Sequence, residues 1–178
     1  SPQWEWNYQP RDEMWSLTER PGNLRLKAFR PLVTDNLLKA GNTLTQRCFR
    51  TNKNEVIVKM NIKGMVDGQK AGLCHYSKSY AMVRVRQSGK DRNLEFHTNK
   101  EKITGPAIKG NKVWIKSVWG LDGKSQFSYS TDGRKFPPFG EAYQLEWGYY
   151  RGSRIGIYCF NNIVDAGYID VDEFIYLY

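Results

Sequence analysis

Apolar and polar residues alternate with a period of two along most of the chain, and the alternation runs longest at the C-terminal end, Tyr168-Ile-Asp-Val-Asp-Glu-Phe-Ile-Tyr-Leu-Tyr178. A period of two is the signature of a half-buried strand, because successive side chains leave the backbone on opposite faces. The same pattern marks Gln3–Tyr8, with Trp4 and Trp6 on one side, and Thr43–Phe49. It also marks Glu55–Ile62, Ala71–Tyr76, Ala81–Arg86, Leu94–Phe96, Lys112–Trp119 and Ser125–Ser130. Trp15 to Gly22 carries a strand into a Pro-Gly turn, and Asn23–Phe29 leads away with Leu24, Leu26 and Ala28 inward, which predicts a hairpin. Further turns fall at Gly64–Gly68, Gly89–Asp91, Asp122-Gly123 and Thr131–Gly133. Pro31–Lys39 reads as a loop. With no amphipathic helix to cross between strands, the pattern predicts an all-β, two-sheet antiparallel β-sandwich rather than a parallel α/β arrangement.

The 178 residues, 40% hydrophobic and 14% aromatic, suffice for one sizeable core, so a single domain over residues 1–178 is expected. No apolar run reaches membrane-spanning length. The chain opens Ser-Pro-Gln-Trp, as a fragment of something longer would, and its ends do not set its localisation. Cys48, Cys74 and Cys159 are odd in number, far apart and set in apolar runs, which suits buried free thiols better than a disulfide framework or a zinc site. The net charge of +9 raises nucleic-acid binding as a class. Against it, Lys and Arg are spread from Arg11 to Arg154 in clusters no longer than two, with acids among them. That is the distribution of a solvated surface, not of a phosphate track.

The stretch Trp147-Gly-Tyr-Tyr-Arg-Gly-Ser-Arg-Ile-Gly-Ile-Tyr-Cys159 is a glycine-hinged aromatic loop that runs into a strand closed by Asn161-Asn162. Gly148 and Gly152 let Tyr149, Tyr150 and Arg151 stand at a loop tip. There a flat ring matches the C–H face of a pyranose while polar neighbours take its hydroxyls. Two further constellations offer contacts of that kind: Gln46 with Arg47, and His75 with Tyr76 and Tyr80 around a strand end. Most aromatics of a sandwich serve core or cross-strand packing, and Trp4, Trp6, Trp114 and Phe127 are assigned there. His75 and His97 lack the Ser or Cys context of a nucleophilic site and any metal spacing. Carboxylates such as Glu19, Glu55, Asp170, Asp172 and Glu173 have structural readings at strand starts, turns and strand faces.

Six motifs occur in a fixed order: Trp15-Ser-Leu-Thr-Glu-Arg-Pro-Gly-Asn-Leu-Arg-Leu26, Asn42-Thr-Leu-Thr-Gln-Arg47, Asp67-Gly-Gln-Lys-Ala-Gly-Leu73, Phe127-Ser-Tyr-Ser-Thr-Asp-Gly133, Tyr150-Arg-Gly-Ser-Arg-Ile-Gly-Ile157 and Tyr168-Ile-Asp-Val-Asp-Glu-Phe174. Together they resemble the C-terminal concanavalin A-like module of family 43 β-xylosidases over nearly the whole chain. The resemblance implies a jelly-roll sandwich packed against a catalytic five-bladed propeller. It implies an accessory module without catalytic residues of its own, directed at plant cell-wall xylan or xylo-oligosaccharides, with neither nucleic acid nor membrane as a partner. It also implies that Tyr150 occupies the place of an aromatic that the sandwich extends toward the propeller's active site. A secreted or periplasmic setting is expected over a cytoplasmic one. Related sandwiches often carry a structural Ca2+ near their joined termini, and Asp172 with Glu5 is the expected carboxylate pair. Two other classes stay open: a purely structural domain that completes the parent's active site or an oligomer interface without sugar affinity, and an independent enzyme.

Overall fold

Alternation in Asn54–Asn61 puts Val56, Val58 and Met60 on one side of a strand, all fully buried, and every later strand that repeats the pattern adds to the same layer. The computed structural model describes residues 3–148, 150 and 152–178. Tyr149 and Arg151, two of the expected sugar contacts, lie outside the described residues. The first half of the chain forms β1 (Glu5–Asn7), β2 (Trp15–Ser16), β3 (Leu24–Lys27), β4 (Thr43–Arg47), β5 (Asn54–Asn61), β6 (Gln69–Tyr76) and β7 (Tyr80–Ser88). The second half forms β8 (Asp91–Thr98), β9 (Lys102–Ala107), β10 (Lys112–Trp119), β11 (Lys124–Ser130), β12 (Tyr143–Gln144), β13 (Arg154–Asn161) and β14 (Tyr168–Leu177). Short 3-10 turns at Asp12–Met14 and Leu37–Lys39 are the helical elements among the described residues. None is long and apolar enough to cross a membrane.

Two seven-stranded sheets result. One has the order β1-β4-β13-β6-β7-β8-β9 and the other β12-β11-β10-β5-β14-β3-β2. Every pairing between these strands is antiparallel. The expected sandwich is therefore the observed one. The Pro21-Gly22 turn closes β2 onto β3 with Trp15 opposite Leu26, and Asp122-Gly123 closes β10 onto β11. Leu26 and Ala28 are fully buried, as the hairpin's alternation predicts. The three cysteines are free and buried. Phe127 lies in the core, whereas Trp114 packs across strands on the outer face of its sheet, with the Lys59 ammonium 5.4 Å from its ring.

Two strands go beyond the sequence reading. β9 contains Gly105 and Pro106 among charged and polar neighbours, so its alternation is weak; it survives because it is an edge strand, where a missing N–H costs no ladder bond. β12 is only two residues long. In β14 the register slips at Asp172, so that Val171 pairs with Met60 and Glu173 with Lys59. This bulge keeps both Val171 and Phe174 on the inner side, where an unbroken alternation would turn one of them out.

β6 and β13 are buried at every position, not at every second one. Their inner residues, such as Leu73, Ile155 and Ile157, join the main core. Their outer residues, Cys74, Tyr76, Tyr158 and Phe160, form a second cluster with Met82, Leu37 and Ala40. Leu37 and Ala40 come from the 30–41 segment, which lies across the outer face of the first sheet as a strap. The strap is tied down by charge. Asp35, in a left-handed conformation at φ 57°, receives Lys70 Nζ at 2.8 Å, Arg84 Nη2 at 3.0 Å and the Lys102 ammonium. Arg84, fully buried, also meets Glu95 at 2.6 Å. Burial alone would push the carboxyls of Asp35 and Glu95 up, but the Arg84 charge and the hydrogen bonds from these cations outweigh it and hold both below the usual carboxylate range.

Removing one member of such a network strands the opposite charge in a dry place. Asp35→Ala should lower unfolding stability by about 3 kcal/mol or more, measured by urea denaturation. A loss below about 1 kcal/mol would show that the strap is held by its apolar residues alone.

Candidate functional site

The loop between β12 and β13 has firm feet. Leu145 is buried in the core at one side, and Trp147 packs against it with the Arg50 guanidinium 5.8 Å from its ring. At the other side the Cys48 N–H donates to the Ser153 carbonyl at 2.9 Å, and Gly152 takes the left-handed φ of 69° that lets the chain turn down into β13. Between these feet Tyr150 is 97% exposed, the most exposed large apolar side chain among the described residues. Arg47, the exposed last residue of β4, lies next to the same foot: its Nε is 4.0 Å from the position a Cβ on Gly152 would occupy. The tip thus presents an aromatic face with a guanidinium beside its base.

Gln46 does not join Arg47. Neighbours on a strand point to opposite faces, and Gln46 is 5% exposed, with its Oε1 lacking a hydrogen-bond partner among the described residues. His75 is likewise no sugar contact. It is fully buried between the sheets, with Nε2 2.6 Å from Ser117 Oγ and Nδ1 3.5 Å from Cys48 Sγ, and its ring meets Trp119 edge-on. Tyr76 faces the other way but is covered by the strap cluster, and its hydroxyl donates to Asn7 Oδ1 at 3.2 Å. Of that trio only Tyr80 reaches the surface. Its ring stands edge-on to His97 and lines a groove of about 560 Å³ with Ser79, Asn99, Glu101, Tyr143 and Glu146. Ser79 Oγ bridges the Tyr143 hydroxyl at 2.7 Å and Glu146 Oε1 at 2.9 Å, so the groove wall is an ordered set of hydroxyls and carboxylates. Glu146 directly precedes Trp147, which joins this groove in sequence to the foot of the Tyr150 loop. The sequence offered no periodic signal for Ser79, Tyr143 or Glu146, because the strand of Tyr143 is too short to alternate.

The pair named for calcium does not fit the ion. The Asp172 carboxylate is taken by Lys59 at 2.8 Å and that of Glu5 by Arg154 at 3.2 Å, from strands of different sheets. No group of three or more His, Cys, Asp or Glu side chains is placed to hold a metal among the described residues.

Residues 1–177 match the family model described as the β-xylosidase C-terminal concanavalin A-like domain. The chain belongs to this family. It is 35% identical over 196 residues to a β-xylosidase of Formosa agariphila, a match that covers 99% of the chain and 33% of that protein. The chain therefore spans about a third of the length of this curated relative. Among solved structures, a bifunctional GH43-CE protein of Bacteroides eggerthii superposes with a TM-score of 0.88 at 26% identity, over 98% of the chain and 23% of its own. A GH43 glycoside hydrolase engineered to display both endo-xylanase and exo-arabinofuranosidase activity superposes with a TM-score of 0.86 at 24% identity, over 98% and 38%, a likeness of fold. The concanavalin A-like sandwich expected from the motifs is thus the domain's fold, and its relatives carry it beside a longer stretch of chain.

The two histidines give the domain a pH signature. Burial pushes the His75 imidazole down to about 3. Burial, aided by the Arg84 charge, pushes His97 down to about 4. As pH falls below the ordinary imidazole value of about 6.5, the unfolded chain takes up these two protons first. Stability is therefore fully present above that pH and should fall between about pH 6.5 and 5, with a slope approaching 1.4 kcal/mol per pH unit for each imidazole. Denaturation midpoints across that range should show it, and His97→Gln should roughly halve the slope; a flat profile would contradict the neutral, buried state of both rings.

Proposed function

We propose that this domain contacts sugar directly, as a non-catalytic xylan-recognising module of a family 43 glycosidase, with Tyr150 as the stacking residue and Arg47 as a hydroxyl donor beside it. The observation that carries the reading is the contrast between the pinned loop feet and the exposed Tyr150 ring. A large apolar face held in water by a rigid scaffold contributes nothing to the fold and is available to a ligand. The groove at Tyr80 offers hydroxyls and carboxylates suited to the rest of a saccharide chain. The names of its relatives support xylan or xylo-oligosaccharides as the polysaccharide. In the parent enzyme the same ring would face the catalytic domain and help to close its substrate pocket.

Tyr150→Ala should weaken retardation by soluble xylan in affinity electrophoresis at least several-fold, since one stacked aromatic is worth about 1 to 3 kcal/mol by analogy with stacked bases. Its melting temperature should stay nearly unchanged, because a side chain at a loop tip leaves no cavity. Unchanged retardation would place the sugar contact elsewhere. Unchanged retardation combined with a lower kcat/KM in the full-length enzyme would favour a purely structural role, in which the domain completes the parent's pocket without affinity of its own.

A further inference from the structure

The groove at Tyr80 carries a charge opposite to that of the whole chain. The chain is +9, yet three carboxylates, Glu101, Glu141 and Glu146, line this groove against one ammonium, that of Lys100. None of the three acids forms an ion pair among the described residues. Asp35, Glu95, Asp165, Asp170 and Asp172, by contrast, each meet a cation.

Hydrogen bonds within the wall direct its donors away from the open space. Ser79 Oγ donates its one proton to Glu146 Oε1 at 2.9 Å, so the 2.7 Å contact with Tyr143 is made by the tyrosine proton. Both hydroxyl protons therefore run toward the carboxylate, and oxygen lone pairs are what this relay still offers. Gln144, also in the wall, turns its Nε2 protons to the Asp122 and Leu145 carbonyls at 2.8 and 3.3 Å. The turn between β8 and β9, which brings Lys100 and Glu101 to the groove, is held there by the Tyr80 N–H donating to Asn99 Oδ1 at 2.7 Å. The wall is thus acidic, rich in acceptors and fixed in place.

An occupant has to bring the protons. Sugar hydroxyls do so, each donating to a carboxylate oxygen in a charge-assisted bond, while the C–H face of a pyranose lies against an aromatic ring such as Tyr80. A uronate group has no proton to give and carries the same sign of charge as the wall. We propose that the groove makes the domain selective for neutral, undecorated stretches of xylan and turns away stretches that bear uronic acid side groups. The proposal rests on the reading of the groove as part of the sugar-contacting surface and adds to it the class of chain accepted. Tyr150 and Arg47 do not supply this choice, because a ring face takes either chain and a guanidinium favours the uronate. The selection falls to Glu101, Glu141 and Glu146.

The test uses the wild-type 178-residue chain and two ligands of equal backbone length, xylohexaose and the same hexaose carrying one glucuronic acid, titrated at low salt with backbone amide shifts as the readout. The neutral ligand should bind at least about fivefold tighter, as expected for like charges a few ångströms apart at a protein surface. Raising the salt to about 1 M should narrow the gap. Glu101→Gln combined with Glu141→Gln keeps the side-chain shapes and removes two charges, and the ratio should fall several-fold, chiefly through tighter binding of the uronate-bearing ligand. Equal affinities at low salt, or a gap that the double variant leaves unchanged, overturn the selectivity alone. Groove amides that respond to oligolysine and to neither saccharide overturn it too, because the occupant is then a basic peptide. Absence of saccharide binding anywhere on the chain overturns the sugar-contacting reading itself, and the selectivity with it.

Discussion

The structure rests on the double burial of its first sheet. A sandwich needs only its inner faces covered, and the outer face of β5 and β10 is indeed half open to water. The outer face of β6 and β13 is instead sealed by the 30–41 strap, and the strap is anchored by Asp35 among the cations of Lys70, Arg84 and Lys102. Arg84 is fully buried, so it needs both Asp35 and Glu95, and Asp35 can reach it only if the strap lies where it does. The network thereby fixes the path of a segment with little regular structure of its own. It also fills the broad sheet face with protein, which leaves the loop end of the sandwich as the place where side chains can meet a ligand.

The loop end combines rigidity with exposure. Leu145, Trp147 and the Cys48 to Ser153 hydrogen bond hold the backbone on either side of the tip, and the tip itself carries the ring that the core does not use. On the proposed function, the same geometry would also serve beside a catalytic domain, because a ring projecting beyond its own domain is available to a neighbouring pocket.

Much of this was readable in the sequence, for a physical reason. Period-two alternation and turn chemistry are local, so β3, β5, β10, β14 and the Pro21-Gly22 hairpin followed from the residues themselves. What escaped depends on distant partners. Tyr76 looks like a strand-end tyrosine until Leu37 and Ala40, more than thirty residues earlier, are laid over its face. His75, one residue away, points into the opposite layer, and its burial follows from Trp119 and Phe127 on the other sheet. Gln46 and Arg47 were grouped as one constellation, although adjacent strand residues cannot share a face, and the structure buries the first and exposes the second. Asp172 and Glu5 were paired for calcium on the resemblance, and the cations they meet, Lys59 of β5 and Arg154 of β13, come from neighbouring or more distant strands that the sequence does not place.

On the proposed function, the strap closes the broad sheet face and sugar recognition falls to exposed aromatics at the loop end. Backbone amide shift mapping of the wild-type chain with xylohexaose tests it most directly. Shifts are expected at Gly148, Gly152, Arg47 and Tyr80, and none at Gly72, Arg84 and Tyr158 beneath the strap. Shifts centred on those three residues, with a silent loop, would contradict it.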